Sequence, residues 1–200
     1  MQLKTAIAGV AVVMGVAVAA PAPAFAAGPP EVDHFTETDS HIEQEAHGPE
    51  WCGGTVPFDV LWDRRTEGTF VGHSRGDGLS YGLASYRSVE VYTNVENGKT
   101  YTMEFRGGDR EGSVVDNGDG TLTVTVLVTG STQYTGPDGR RVFLDAGAFS
   151  VSFLVDHNGT PGDPSDDRDV ENGFLGIEGP HGLFETWDRD LCADIVTLLG

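Results

Sequence analysis

The chain has few basic side chains: its 200 residues include 12 Lys and Arg against 31 Asp and Glu, a formal charge of −19 at pH 7. Binding to phosphate backbones or anionic lipid surfaces needs clustered Lys and Arg, so this balance argues against nucleic-acid and membrane-surface partners. Cysteine is scarce too, and two residues allow one intramolecular disulfide. No phosphate loop, zinc template or dinucleotide fingerprint occurs, so we expect no cofactor.

The rest of the composition is that of a globular protein. Hydrophobic residues make up 38% of the chain and charged residues 22%, and 200 residues is a natural size for one domain. A domain of this size buries about 70% of the surface that its unfolded chain exposes. We therefore expect one domain with a packed core.

The first segment has the features of a secretory signal peptide. Lys4 precedes an apolar run over residues 6–20 that contains only Ala, Ile, Val, Met and Gly. This run of about 15 residues is shorter than the roughly 20 that a membrane span needs. Ala24 and Ala26 fit the small-residue positions of a cleavage site. We predict a signal peptide at 1–26 and a secreted, extracellular mature protein with no membrane contact.

Residues 27–50 are rich in Pro, Glu and Asp and show the period of neither a strand nor a helix. We interpret them as a flexible acidic arm before a single domain at 51–200. Histidines and acids in the arm are suitable ligands for a borderline divalent metal, but the histidine spacings of seven and six match no compact template. We therefore expect a solvated segment. The residues concerned are His34, His41 and His47 with Glu37, Asp39, Glu43 and Glu45.

From Thr55 onward, apolar residues recur with a period of two between turn sequences, which predicts strands. Asn97-Gly98 favours a type I′ hairpin turn, and GPDG at 136–139 supplies another turn. Consecutive strands joined by tight turns must be antiparallel, because a parallel neighbour needs a crossover of a dozen or more residues. We predict an all-β, single-domain antiparallel meander of about eight to ten strands.

So many strands are too many for one flat open sheet, so we expect the meander to close into a β-barrel, with a β-sandwich as the alternative. Aromatic residues on the strands are then core residues, or they line a cavity for one small ligand. These residues are Trp62, Phe70, Tyr81, Tyr92, Tyr101 and Phe105.

The C-terminal pattern differs from that of the body. Apolar residues spaced three or four apart follow Thr186, a candidate N-cap, and predict a short C-terminal helix. They are Trp187, Leu191, Ile195 and Leu198 or Leu199. Cys192 in this helix is the one possible intramolecular partner of Cys52, and export makes a disulfide between them the expected state.

Five segments of the chain occur in a distinctive order: DNGDGTLTVTV, TGPDG, DAG, LVDHNGTPGDPSDD and LCADIVTLL. Together they resemble a group of small, uncharacterised secreted proteins of actinobacteria, which are β-rich and carry one Cys near each end. The matching pieces cover most of the chain from residue 52. The resemblance implies secretion and a β fold, and it implies no activity.

The sharpest enzyme-like motif is GHSRG at 72–76, a G-x-S-x-G match that would place Ser74 at a nucleophile elbow, with His181 as a candidate base. An elbow needs a helix immediately after the serine and a parallel sheet beneath it, whereas Gly78 and Gly82 follow within a predicted meander. We therefore predict no catalytic residue and keep a serine hydrolase as a distant alternative.

The loop DHNGTPGDPSDDRD at 156–169 concentrates oxygen donors of the kind that bind Ca²⁺. It departs from an EF-hand loop, because Pro161 stands where the sharp turn needs Gly and no bidentate Glu follows at position twelve. We expect a solvated acidic loop, with a calcium site of another type as the lesser alternative. The candidate ligands are Asp156, Asn158, Asp163, Asp166 and Asp167.

These features favour a secreted binding module over an enzyme. The expected ligand is a small apolar molecule, held in the interior or at an open end, or an extracellular protein partner. The alternative is a structural secreted domain without a ligand.

Overall fold

The computed structural model describes residues 30–179 and 189–200. The predicted signal peptide, 1–26, lies outside these ranges, as do His181, Thr186 and Trp187. One antiparallel sheet contains seven strands in sequence order. Its strands are β1 (Glu31–Ile42), β2 (Val60–Ser74), β3 (Ser80–Asn94), β4 (Thr100–Asp116), β5 (Thr121–Thr135), β6 (Arg141–Asp156) and β7 (Arg168–Glu178). Helix α1 spans Glu43–His47 and helix α2 spans Leu191–Leu199.

The predicted antiparallel meander is confirmed, because every strand pairs with the next one along the chain. The strands are longer than expected: β4 has 17 residues and the shortest, β7, has 11. A typical strand has about 5–6 residues, so the same length of chain forms seven strands instead of eight to ten. The predicted turn at Asn97-Gly98 joins β3 to β4, but it is not of type I′, because that turn needs a positive φ at both residues and only Gly98, with φ 72°, has one.

Across residues 30–179 and 189–200 the strands form one sheet that does not close, so neither the predicted β-barrel nor the alternative two-sheet sandwich is supported. Within the described residues, β1 and β7 are the two edges of one open sheet. Helix α2 and the segment before β2 cover the apolar side chains of the larger core, so their burial does not require the edges to pair. At the other end of the sheet, the Ser80 hydroxyl donates a hydrogen bond to the Gly162 carbonyl in the β6–β7 loop, at 2.8 Å.

Half of the segment interpreted as a flexible arm belongs to the sheet. Strand β1 pairs with β2 in unbroken register, from Glu31 opposite Gly72 to Ile42 opposite Leu61. Its side chains show no alternation of polarity because most of them are exposed at the edge of the sheet. Backbone hydrogen bonds to β2 hold the strand, and no side-chain pattern encodes those bonds.

The larger hydrophobic core lies between one half of the sheet and α2. Ile195 and Leu199 of α2 are fully buried against Tyr101 of β4, which is also fully buried. We call the face of the sheet that carries Tyr92, Tyr101 and Met103 the inner face, and the opposite face the outer face. The other buried members of this core are Val56, Phe58, Val60, Tyr92 and Tyr134.

The predicted C-terminal helix is confirmed as α2. Its N-cap is Asp190, whose carboxylate accepts a hydrogen bond from the Ala193 amide, and not the predicted Thr186. At its other end, the side-chain amides of Asn94 and Asn97 donate to the Leu199 carbonyl at 3.0 and 2.8 Å. Both ends of the helix are therefore satisfied by polar side chains.

The predicted disulfide between Cys52 and Cys192 is present, with Cα atoms 5.5 Å apart. It joins the segment before β2 to the first turn of α2, across 140 positions of the chain. The bond therefore ties α2 to the same end of the sheet whose core the helix covers.

A row of glycines crosses the middle of the sheet. In register, Gly68 lies opposite Tyr86, Tyr86 opposite Gly107, Gly107 opposite Gly130, and Gly130 opposite Gly147. The row separates the core under α2 from a second buried cluster, which consists of Tyr81, Val114, Leu122, Val124 and Val155. At Gly107 the strands approach so closely that a Cβ atom would lie 2.1 Å from the Thr129 carbonyl oxygen.

Candidate functional site

A groove of about 920 Å³ crosses the outer face of the sheet, lined by parts of β2 to β5. At its floor, Arg110 of β4 lies directly opposite Leu83 of β3 on one side and Leu127 of β5 on the other. Directly paired residues of an antiparallel sheet share a face. One guanidinium therefore stands between two aliphatic side chains, one of which, Leu83, is 40% exposed.

The charged side chains of the groove are mostly cationic. Arg87, Arg106 and Arg110 line it together with a single acid, Glu67. Arg87 and Arg106 both donate to one oxygen of Glu104, Arg87 from its Nε at 2.8 Å, and these bonds lower the pKa of Glu104 to about 2. Arg110 has no ion-pair partner among residues 30–179 and 189–200, so its guanidinium is free to bind an anion.

The aromatic residues predicted to be core or cavity-lining are mainly core. Tyr81, Tyr92 and Tyr101 are buried, whereas Phe70 is exposed. The Tyr92 hydroxyl donates to Glu90, and burial together with that carboxylate raises the pKa of Tyr92. The three tyrosines belong to the two buried clusters of the sheet, Tyr92 and Tyr101 to one and Tyr81 to the other.

Ser74 does not lie at a nucleophile elbow. It is the last residue of β2, and a tight turn leads to β3, with the Arg75 amide donating to the Leu79 carbonyl at 3.1 Å. Strand therefore follows strand where the motif requires a helix, and the two strands are antiparallel. The candidate base, His181, lies outside the described residues. The hydrolase alternative thus lacks the structural context on which it depends.

The candidate calcium ligands of the acidic loop accept hydrogen bonds from other residues of the same loop. Asp156 accepts a hydrogen bond from the Asn158 amide at 2.8 Å, and Asp163 accepts one from the Ser165 amide at 3.0 Å. Asp166 accepts from the side chain of Asn158 at 3.2 Å. In the part of the chain that the structure describes, these acids are not gathered into a metal-ligand cluster. The geometry favours the solvated-loop interpretation.

Asp167 differs from its neighbours, because its Oδ1 atom is buried and makes no hydrogen bond. Burial is the main cause that raises the pKa of Asp167 to about 6, and the nearby negative charge of Asp166 adds to it. A carboxyl group with a raised pKa costs stability when it ionises, since the folded protein holds the charge less favourably than the unfolded chain does.

Asp167→Asn is therefore expected to stabilise the protein at neutral pH. The wild-type folded state binds more protons than the unfolded chain between about pH 4 and 6, so its free energy of unfolding falls as pH rises through that window. The variant cannot ionise at this position, so its free energy of unfolding should exceed that of the wild type by about 1 kcal/mol at pH 7.5 and equal it at pH 4. The gain is limited to this size because partial exposure screens the charge. Thermal melts at both pH values measure this difference. Asp169→Asn, which removes an exposed charge, is the control; parallel pH curves for wild type and Asp167→Asn would contradict the assignment.

Three side chains of the supposed arm converge where β1 ends and α1 begins. The Nδ1 atom of His47 lies 2.7 Å from Oε2 of Glu43, and the Nε2 atom of His41 lies 3.7 Å from the same oxygen. All three candidate ligand atoms lie within 4.8 Å of one another. His34 lies elsewhere along β1, where its ring nitrogen contacts the Thr69 hydroxyl at 2.9 Å.

The sequence did not predict this cluster, because residues 27–50 show the period of neither a strand nor a helix and the histidine spacings match no compact template. Helix α1 brings Glu43 and His47, four positions apart, onto one face. His41 reaches the same point from the end of strand β1, two residues before the helix begins. Spacing alone matched no template, whereas a strand followed at once by a helical turn brings the three groups together.

Fold and sites together define an acidic, disulfide-linked protein built on one open antiparallel sheet, with a groove on one face. Comparisons with protein-family models, with curated proteins and with solved structures found no match to this chain. None of the helices in the described residues is both long enough and apolar enough to span a bilayer.

Proposed function

We propose that this chain is an exported binding module that holds an amphiphilic carboxylate in the outer-face groove, without catalysis. The ligand class is a small molecule with one carboxylate and an aliphatic chain. The observation that carries the proposal is the position of Arg110, unpaired within the described residues, between Leu83 and Leu127. The sequence-based expectation of an apolar ligand is thereby narrowed to one with an anionic end.

Electrostatics supports the anionic end. A guanidinium binds a carboxylate through two parallel charge-assisted hydrogen bonds, and Arg110 has no carboxylate partner among the described residues, whereas Arg87 and Arg106 already share Glu104. A chain of charge −19 repels anions over most of its surface. With Glu104 counted, the three arginines of the groove stand against two glutamates, a net charge of +1, so the groove is a local exception where an anion is favoured.

The apolar part of the ligand is supported by the two leucines. Leu83 and Leu127 lie on the same face as Arg110, one on each side, so an aliphatic chain can cover either while the carboxylate stays on the guanidinium. Burying apolar surface contributes about 25 cal/mol per Å². The groove, at about 920 Å³, is within the range of small-molecule sites.

Export is supported by the apolar run at 6–20 of the predicted signal peptide and by the disulfide, a bond that forms and persists in oxidising compartments. The absence of catalysis is part of the proposal and rests on the position of Ser74 at a hairpin end. A structural secreted domain without a ligand remains the alternative, and the binding experiment distinguishes the two.

The test is calorimetric titration of the protein with saturated monocarboxylates of eight, ten and twelve carbons, and with the matching alcohols. Arg110→Gln is expected to weaken carboxylate binding about 10-fold or more, the cost of losing charge-assisted hydrogen bonds. Arg140→Gln removes an equal charge from the β5–β6 turn, where the side chain is almost fully exposed, and should leave binding unchanged. Affinity should increase with chain length.

Two results would overturn the proposal. If alcohols and carboxylates bind equally and Arg110→Gln has no effect, the ligand is apolar and Arg110 does not recognise it. If no member of either series binds to the wild-type protein, the structural-domain alternative is supported instead.

A further inference from the structure

We infer that His41, Glu43 and His47 form a binding site for a divalent transition metal ion, with Zn²⁺ as the reference ligand. The site lies at the junction of β1 and α1, apart from the outer-face groove, and its function does not depend on the proposed carboxylate ligand. Two imidazole nitrogens and one carboxylate oxygen are a common protein ligand set for zinc, with a further position left for water or another ligand.

The distances fit such an ion with small adjustments. In a tetrahedral zinc site with bonds of about 2.0–2.1 Å, neighbouring ligand atoms are separated by roughly 3.3 Å. The Glu43 oxygen lies 2.7 Å from the His47 nitrogen and 3.7 Å from the His41 nitrogen, values on either side of that separation. The two imidazole nitrogens lie within 4.8 Å of each other, so side-chain shifts of at most about 1.5 Å place all three atoms at bonding distance from one ion.

A second, independent observation is the state of His41. Its Nε2 atom, the one that faces Glu43, is buried and makes no hydrogen bond. A buried nitrogen without a partner is costly, because the water it loses on folding is not replaced. Coordination to a cation between the three side chains would satisfy this atom, and it would also neutralise the buried carboxylate of Glu43, which is 5% exposed.

The surrounding structure holds the ligands in place. The side chain of Gln44 donates to the Phe58 carbonyl at 2.8 Å and accepts from the Val60 amide at 3.0 Å, which attaches α1 to the start of β2. The ring of Trp62 packs on His41 with centroids 4.6 Å apart, and its own Nε1 donates to Glu90 at 3.1 Å. These contacts orient the ligand side chains before an ion arrives, as supporting residues do around metal sites.

The donor set selects the class of ion. Imidazole suits zinc, copper and nickel, whereas calcium takes six to eight oxygen ligands and magnesium keeps a shell of oxygen donors. The His47 side chain is 55% exposed, so an ion can enter from solvent. The site should therefore bind Zn²⁺, Ni²⁺ and Co²⁺ in preference to the two alkaline-earth ions.

The experiment uses the full-length protein without an affinity tag, titrated with Zn²⁺ by calorimetry in about 0.15 M salt to suppress nonspecific attraction to the acidic surface. One saturable site per chain is expected. His47→Gln and Glu43→Gln should each weaken binding by more than the roughly 10–100-fold that loss of a merely supporting residue costs. The control is His34→Gln, which should bind Zn²⁺ like the wild type, because His34 lies in the same strand as His41 but contacts Thr69 instead of the cluster.

The variants must be folded for this comparison. The exposed His47 side chain makes His47→Gln the more reliable variant, and melting curves without metal should match those of the wild type. A local signal confirms the position: bound Ni²⁺ or Cu²⁺ should quench the fluorescence of Trp62, which lies against His41, and His47→Gln should reduce that quenching.

Two outcomes would overturn the inference. Equal, non-saturating heats for the wild type and all three variants would mean that Zn²⁺ is attracted only by the acidic surface. A saturable signal unchanged in both His47→Gln and Glu43→Gln would place the ion elsewhere in the chain.

Discussion

Replacing both Cys52 and Cys192 with alanine is expected to lower the free energy of unfolding by about 4 kcal/mol and the melting temperature by about 8–16 °C. The bond closes a loop across 140 positions, so its removal restores much conformational freedom to the unfolded chain. In the folded protein, the same bond holds α2, whose Ile195 and Leu199 are fully buried in the core. Thermal and urea unfolding of the wild type and the double variant measure the loss.

Reduction of the wild-type protein is the matched control, since it breaks the bond without changing the sequence. It should lower the melting temperature by a similar amount. Thiol labelling of the denatured, non-reduced protein should find no free thiol, because both cysteines are in the bond. A double variant within about 1 kcal/mol of the wild type would mean that α2 packing alone fixes this end of the sheet.

Gly107→Ala is expected to destabilise the protein by about 3 kcal/mol, at the upper end of overpacking costs. A Cβ at this position would lie 2.1 Å from the Thr129 carbonyl oxygen and 2.7 Å from the Gly130 Cα. Both contacts are with backbone atoms of β5, so relief requires the paired strands to separate in the middle of the sheet. Urea unfolding monitored by circular dichroism gives the difference.

Gly112→Ala provides the matched control in the same strand. Its nearest neighbour would be the Thr125 carbonyl oxygen at 3.7 Å, an ordinary contact, so we expect a change within about 0.5 kcal/mol. Equal losses of stability in the two variants would show that the close approach of the strands at Gly107 does not cause the destabilisation. A large effect confined to Gly107→Ala supports the glycine row as a requirement of the strand pairing.

The two proposed binding sites can be tested against each other. The metal-ligand cluster belongs to β1 and α1, whereas the groove is formed by β2 to β5. Arg110→Gln should therefore leave Zn²⁺ binding unchanged, and His47→Gln should leave carboxylate binding unchanged. If either variant affects both ligands, its effect is on the fold and not on a site.

Local sequence patterns predicted much of the sheet. Alternating apolar residues and the Asn97-Gly98 turn are properties of neighbouring residues, and they correctly indicated consecutive antiparallel strands. The spacing of Leu191 and Ile195 correctly indicated α2, and the count of two cysteines identified the disulfide. Each of these inferences needs only short-range periodicity or a count, and both can be read along a single chain.

Contacts between distant residues decided three features: the open form of the sheet, the inclusion of β1, and the assembly of both candidate sites. Arg110 meets Leu83 and Leu127 only because two strand registers align them, and periodicity within one strand does not set register against its neighbours. His41 and His47 meet because an edge strand, held by backbone hydrogen bonds to β2, ends at the turn of a helix. The sequence alone thus determined the antiparallel order of the strands after residue 55, the C-terminal helix and the disulfide. Tertiary structure decided which side chains meet, because that depends on backbone pairing that side-chain chemistry does not specify.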